Sequence, residues 1–268
     1  MVAIHNRSNF AIFFTPISVF SILETMKDEE ANFVIERFKD SLNIRWSNSQ
    51  KKNLLHIAAE KELPLVLDTL LDLASQEEVL TELVKAEDNL NFCPVHYAAL
   101  RLAIKAFEVF LRHETDVTMT TNRMETVLTL MGAVTEKNLN QLEKFQSILK
   151  LLLRSNVMNK AFINMIPSSG ARNSALHYVT AYGTLEDVEK IVNLGALPEL
   201  NSGLESPFHI AAKYGKSNIM RFLLDRFTTG RLSFDIDQKD CDGNTCLHTV
   251  LYKSSASTNI VQMLITEG

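Results

Sequence analysis

The stretch from Glu205 to Asp225 is a helix, a turn and a second helix in succession. Ser206 can cap a helix with its hydroxyl, and Pro207 suits the first helical position, where no amide is needed. Phe208, Ala211 and Ala212 fall at helical spacing, and Gly215 provides the left-handed residue that ends such a helix. Ile219, Phe222 and Leu223 then mark a second amphipathic helix. A short helix pair cannot bury its apolar face alone, so it must stack on something of the same kind.

The chain repeats it. Asn53 to Ala59, Asp88 to Ala99, Glu125 to Leu130, Asn173 to Gly183 and Asp240 to His248 restate the opening pattern. Each is followed by a second apolar-periodic run: Leu65 to Leu71, Ala103 to Arg112, Gln141 to Arg154, Leu185 to Leu194 and Thr258 to Thr266. The marker slot holds His56, His96, Thr129, His177, His209 and His248, at spacings of 40, 33, 48, 32 and 39. Five of the seven histidines therefore share one slot. This resembles the ankyrin repeat, with its period of about 33 residues and its Thr-Pro-Leu-His signature. Asp240, Gly243, Thr245, Leu247 and His248 match that turn and helix best.

The expected fold is all-α: an ankyrin-repeat solenoid of about six stacked helix-turn-helix repeats over residues 42–268. It is preceded over 1–41 by an apolar segment and a capping helix read at 24–42. The long spacings imply insertions in loops after or between helices, one of them the polar run from Thr135 to Asn140. Gly243 is the only glycine in its turn slot; Lys51, Asn91, Met124, Arg172 and Leu204 stand there instead, so several turns are expected to be irregular. The last helix is expected to expose an apolar face, and the sequence is read as a fragment, or an amino-terminal piece of something longer.

Composition narrows the function classes. Nine glycines and six prolines are few for 268 residues, which favours helices. A net charge of −5 speaks against a phosphate-binding surface, so no nucleic-acid partner is expected. Cys93, Cys241 and Cys246 do not form a disulfide framework and point to a reducing, cytoplasmic setting. Phe10 to Leu23, after Arg7, has the flank and length of a signal-peptide core. It also reads as a capping segment on the first repeat. It is too short for a membrane span and is interrupted by Pro16. The glycosylation triplet Asn6 to Ser8 matters only to a secreted chain.

No catalytic constellation can be placed, and neither an enzyme nor a cofactor is expected. A histidine ladder at repeat spacing cannot converge on one metal ion. Cys241, Cys246 and His248 lack a fourth ligand and the usual tight spacing for zinc. Gly215, Lys216 and Ser217 imitate the end of a phosphate loop, but Ile210 replaces its first glycine, and no strand precedes it. By resemblance, the marker histidine fastens the turn locally, and the fingers and first helices line a concave partner-binding face. The residue before the inter-helix glycine lies near that face: Lys61, Arg101, Tyr182, Tyr214 and Lys253. Trp46, in the first finger-like segment, joins them. Tyr and Arg are the residue types that anchor interfaces.

The function expected is a non-enzymatic module, a scaffold or adaptor in signalling, that binds a protein partner. Three alternatives stay open. One is the cytosolic array of a transient receptor potential-type channel, suggested by Ser206 to Gly215 and Asp242 to Thr245. Another is a regulator like the Rel inhibitors, and the last a targeting subunit for an enzyme on another chain.

Overall fold

The computed structural model describes residues 15–228, 234–252 and 257–267, and all regular elements among them are helical. Contacts divide the chain into two compact units, Met1–Asn122 and Arg123–Gly268. Lys253 and Arg7, together with the start of the apolar run at Phe10, lie outside the described residues.

Unit 1 begins with α1 (Pro16–Thr25) and α2 (Asp28–Phe38), the latter running into a 3₁₀ turn at Lys39–Ser41. The single helix expected at 24–42 is thus shorter and starts later. Met26 and Lys27 are extended and separate it from α1. Pro16 does not interrupt the apolar run but opens α1, where Thr15 accepts the Ser18 amide. Val19, Phe20 and Leu23 are buried, as are Ala31 and Ile35 of α2. The pairs α3 (Leu54–Glu60) with α4 (Pro64–Gln76), and α6 (Pro94–Arg101) with α7 (Ile104–Arg112), follow, with a short α5 (Leu80–Lys85) between them. First helices pack on first helices (α1 on α3, α3 on α6), and second on second (α2 on α4, α4 on α7). Asp28 ties two helices of the second layer together: its carboxylate accepts the Leu65 and Val66 amides at the start of α4, at 3.0 and 3.2 Å. Those amides have no partner inside their own helix.

Unit 2 repeats the scheme. Its first helices are α8 (Val127–Lys137), α11 (Ala175–Tyr182), α13 (Pro207–Lys213) and α15 (Cys246–Leu251). Its second helices are α9 (Leu142–Arg154), α12 (Leu185–Asn193), α14 (Ser217–Phe227) and α16 (Thr258–Glu267), and α10 (Lys160–Ile163) lies between α9 and α11. Each layer stacks in order, α8 to α11 to α13 to α15 and α9 to α12 to α14 to α16. Phe145, Ile148, Leu149, Val188, Ile191, Met220 and Leu223 fill the space between layers. In α16, Ile260, Met263 and Leu264 are buried and Ile265 is exposed.

Two expectations change. The insertions are largely helical. Thr135 to Lys137 continue α8, with the Thr135 hydroxyl donating to the Met131 carbonyl at 2.9 Å, and α5 and α10 take up other extra residues. The turns are also regular. Lys51, Asn91, Met124, Arg172 and Leu204 all adopt φ between 54° and 60°, in the left-handed region where Gly243 sits at 81°. The backbone keeps one turn geometry, and the side chain bears the strain.

A candidate protein-binding surface on the first helices

The marker residue builds the first helix and joins it to the next. In each histidine repeat the backbone N–H of the capping residue donates to the imidazole Nδ1: Asn53 to His56 (3.1 Å), Cys93 to His96 (2.9 Å), Ser174 to His177 (3.1 Å), Ser206 to His209 (3.2 Å) and Thr245 to His248 (3.3 Å). An N–H can only donate, so Nδ1 is bare and the proton sits on Nε2. That Nε2–H donates to a backbone carbonyl further along the chain: Phe92 from His56, Met119 from His96, Glu205 from His177 and Asn244 from His209, at 2.9 to 3.2 Å. The local fastening expected of these residues is half of their work; the other half is a bond out of the repeat. Thr129 keeps only the local half, its hydroxyl accepting the Thr126 amide at 2.8 Å. Burial lowers the pKa of His56 and of His177 to about 4, so both rings are neutral at pH 7.

A second ladder runs through the finger tips. The Asn89 amide donates to the Gln50 carbonyl, Ser202 to Ala171, and Cys241 to Gly203, each at 2.9 Å. Gly215 has φ 63° and forms the corner between α13 and α14, so the Gly-Lys-Ser sequence is an inter-helix turn. Cys241 is exposed and Cys246 buried. Burial pushes the Cys246 thiol up to about 12. Among the described residues, no group of three potential metal ligands gathers, and no helix is long and apolar enough to cross a membrane.

The six residues singled out from spacing have different surroundings. In unit 1, Lys61 ends α3 and is exposed. Arg101, at the end of α6, is exposed and reaches the Glu60 carboxylate at 3.4 Å. Trp46 is half-buried in the loop before α3, its amide donating to the Asn43 carbonyl. In unit 2, Tyr182 is only 3% exposed. Its ring meets Phe145 edge-on at 5.7 Å, and its hydroxyl lies 3.3 Å from that of the half-buried Tyr214. Tyr178 stacks on Tyr182 at 6.3 Å. Lys253 lies outside the described residues.

Two charged clusters at these helix ends were not read from the sequence. In unit 1, Lys52 is 8% exposed, pairs with Glu60, and holds its ammonium 4.2 Å from the centre of the Tyr97 ring. The Tyr97 hydroxyl donates to Asp88 at 2.6 Å, and burial with that carboxylate raises the phenol's pKa. Burial opposes ionisation of Asp88. The Tyr97 hydroxyl and the Phe92 and Leu90 amides outweigh it and leave the carboxyl below its ordinary value. In unit 2, Glu136, Asn173, Tyr178, Tyr182, Glu205 and Tyr214 line a small cleft, with Lys213 donating to Glu205 at 3.2 Å on its edge. Burial, helped by the nearby Glu136 carboxylate, raises the Tyr178 phenol to about 12; Asn173 opposes the shift. The signal available in sequence was Tyr97 and Tyr178, each one residue after a marker histidine.

Residues 176–268 match the family model for ankyrin repeats, in three copies. That part of the chain carries ankyrin repeats. No curated protein sequence matches it. The solved structures it resembles include the ankyrin repeat domain of human ASB11, at 14% identity and a TM-score of 0.61, covering 93% of this chain and 97% of that one. The ankyrin repeat domain of Bcl-3, described as a unique member of the IkappaB protein family, matches at 18% identity and a TM-score of 0.58, covering 92% and 98%. A chain from the complex of the predatory endopeptidase Bd0816 of Bdellovibrio bacteriovorus with the immunity protein Bd3460 matches at 16% and 0.55, covering 83% and 100%. At these identities the likeness is one of ankyrin fold.

Proposed function

We propose that this ankyrin-repeat chain is a non-enzymatic module that binds a partner protein through the concave face lined by the ends of its first helices. Ankyrin-repeat domains are in general protein–protein interaction modules. The observation that supports it is the character of one slot. Five residues after the marker histidine, Lys61 and Arg101 are exposed and Tyr214 is half-exposed, whereas Tyr182 in the same slot is buried; the alanines two and three residues earlier (Ala58, Ala59, Ala98, Ala99, Ala211 and Ala212) are buried. Arginine and tyrosine are the side chains that contribute large contact area with a polar end.

A photo-cross-linking side chain placed at Arg101 or at Tyr214 tests this, with the second-helix surface positions Lys105 and Lys150 as controls. The expected result is a covalent partner adduct from the first two sites and none from the controls. Adducts from Lys105 and Lys150 alone would place binding on the opposite layer and defeat the proposal. Tyr182 is a poor site for truncation, because its ring is packed against Phe145.

A further inference from the structure

Unit 1 shows how this scaffold holds an ammonium group. Lys52 stands four residues before His56, and its ammonium lies against the face of Tyr97, one residue after His96, while Glu60 neutralises it. Cation, ring face and carboxylate together compensate for the cost of burying the charge.

Unit 2 repeats the tyrosine but not the lysine. Tyr178 stands one residue after His177, while the residue four before Thr129 is Glu125. The sign at the position of Lys52 is reversed. The cleft beside Tyr178 is walled by Tyr182 and Tyr214 and carries the carboxylates of Glu136 and Glu205. Among the described residues, the only cation lining it is Lys213, which bonds Glu205 at 3.2 Å. The Asn201 side-chain amide donates to the other Glu205 oxygen at 3.0 Å; two carboxylates against one ammonium still leave the lining negative, which favours a further cation. The cleft offers about 20 Å³ to the centre of a water-sized group, and one such group needs about 10–15 Å³. A primary ammonium has that size; a guanidinium or a trimethylammonium is larger.

We infer that the cleft lined by Tyr178, Tyr182, Tyr214, Glu136 and Glu205 receives the ammonium of a lysine side chain presented by the partner protein. The assignment rests on the protein-binding reading above and names the chemistry of one contact within it. The ammonium donates to the carboxylates and phenol oxygens, and its stem leaves along Tyr214, the least buried of the three tyrosines.

The test is a titration of the whole chain with three capped tripeptides, glycine-X-glycine, in which X is lysine, norleucine or trimethyllysine, read from tyrosine ring resonances by NMR. The lysine peptide is expected to shift Tyr178, Tyr182 and Tyr214 saturably, and the norleucine peptide to leave them unmoved. Trimethyllysine should bind about tenfold more weakly, as should lysine to E136Q; removal of the competing cation in K213M should tighten lysine binding by about the same factor. Equal responses to lysine and norleucine, or lysine binding indifferent to both E136Q and K213M, would overturn the assignment. Glu136 and Lys213 are both exposed, so these variants keep the fold. If cross-links form at Tyr214 while the lysine peptide moves no tyrosine, the binding surface stands and the lysine contact falls. If neither first-helix site cross-links, the surface itself falls, whatever the peptides do.

Discussion

The residue five places before each marker has positive φ in all six repeats, yet only Gly243 and Asn91 are of types that adopt it readily. A side chain in the left-handed region costs about 1 kcal/mol or more. The turn persists because it sets up two ladders at once, the finger-tip amides and the Nε2–carbonyl bonds, each contributing about 1 kcal/mol per bond. Arg172 is exposed at φ 54°, so R172G should relieve the strain and lose little burial. It is expected to raise unfolding stability by about 1 kcal/mol, measured in urea. G243A is the mirror case. Nothing lies within 4 Å of an added Cβ there, and φ is 81°. It should therefore lose about the same amount from backbone strain alone. A stable G243A together with a destabilised R172G would show that the turns are not held as described. The histidine slot was legible in the sequence because its local geometry is encoded within four residues. The turns were not, because an absent glycine looks like an absent turn unless the cross-repeat bonds that enforce it are known.

At the scale of the helix, the first layer of unit 2 turns on one close approach. An added Cβ on Gly132 of α8 would lie 2.1 Å from Cγ of Tyr178 and 2.5 Å from two further ring carbons. Replacing a mid-helix glycine with alanine ordinarily gains up to about 1 kcal/mol. Here the methyl group would have to displace a buried aromatic ring that also stacks on Tyr182, and overpacking of a core costs about 1–3 kcal/mol. G132A is therefore expected to destabilise unit 2 by about 2 kcal/mol in denaturant titration. In a double-mutant cycle, Y178A should recover most of that loss, because the two changes share one space. A G132A chain as stable as the parent would contradict the packing of α8 on α11. Helix pairs were legible from apolar periodicity, and extra helical turns were not. Thr135 to Asn140 reads as a polar loop, but Glu136 and Lys137 are good helix formers, and the Thr135 hydroxyl closes onto its own helix. The cleft was half legible. Tyr182 and Tyr214 follow from slot spacing, whereas Glu136 belongs to the additional turn of α8 and no slot predicts it.

At the scale of the molecule, both units depend on the same protonation state. His56 serves unit 1 and His177 unit 2, and each ring accepts an amide at Nδ1 while donating from Nε2. Adding a proton to Nδ1 breaks the capping bond and places a charge in the core. Their folded pKa values, lowered by burial to about 4, lie below the unfolded value of about 6.5. Between those values the unfolded chain binds protons that the folded chain refuses. The contribution is thus complete above about pH 6.5 and lost as pH falls toward 4, at about 1.4 kcal/mol per pH unit for each ring. Carboxylates held below their ordinary range, such as Asp88, add their own loss only at lower pH, which separates the two effects. Going from pH 7.5 to 5 should therefore cost each unit about 2 kcal/mol, seen as a fall in the urea midpoint, while both imidazoles remain neutral by NMR in the folded chain. H177Q is the informative variant, since its side-chain oxygen can accept the capping amide without titrating. It should be less stable than the parent at pH 7.5, having lost the bond to Glu205, and should flatten the response of unit 2 between pH 6.5 and 5. A response of unit 2 as steep as the parent's would show that its acid sensitivity comes from elsewhere.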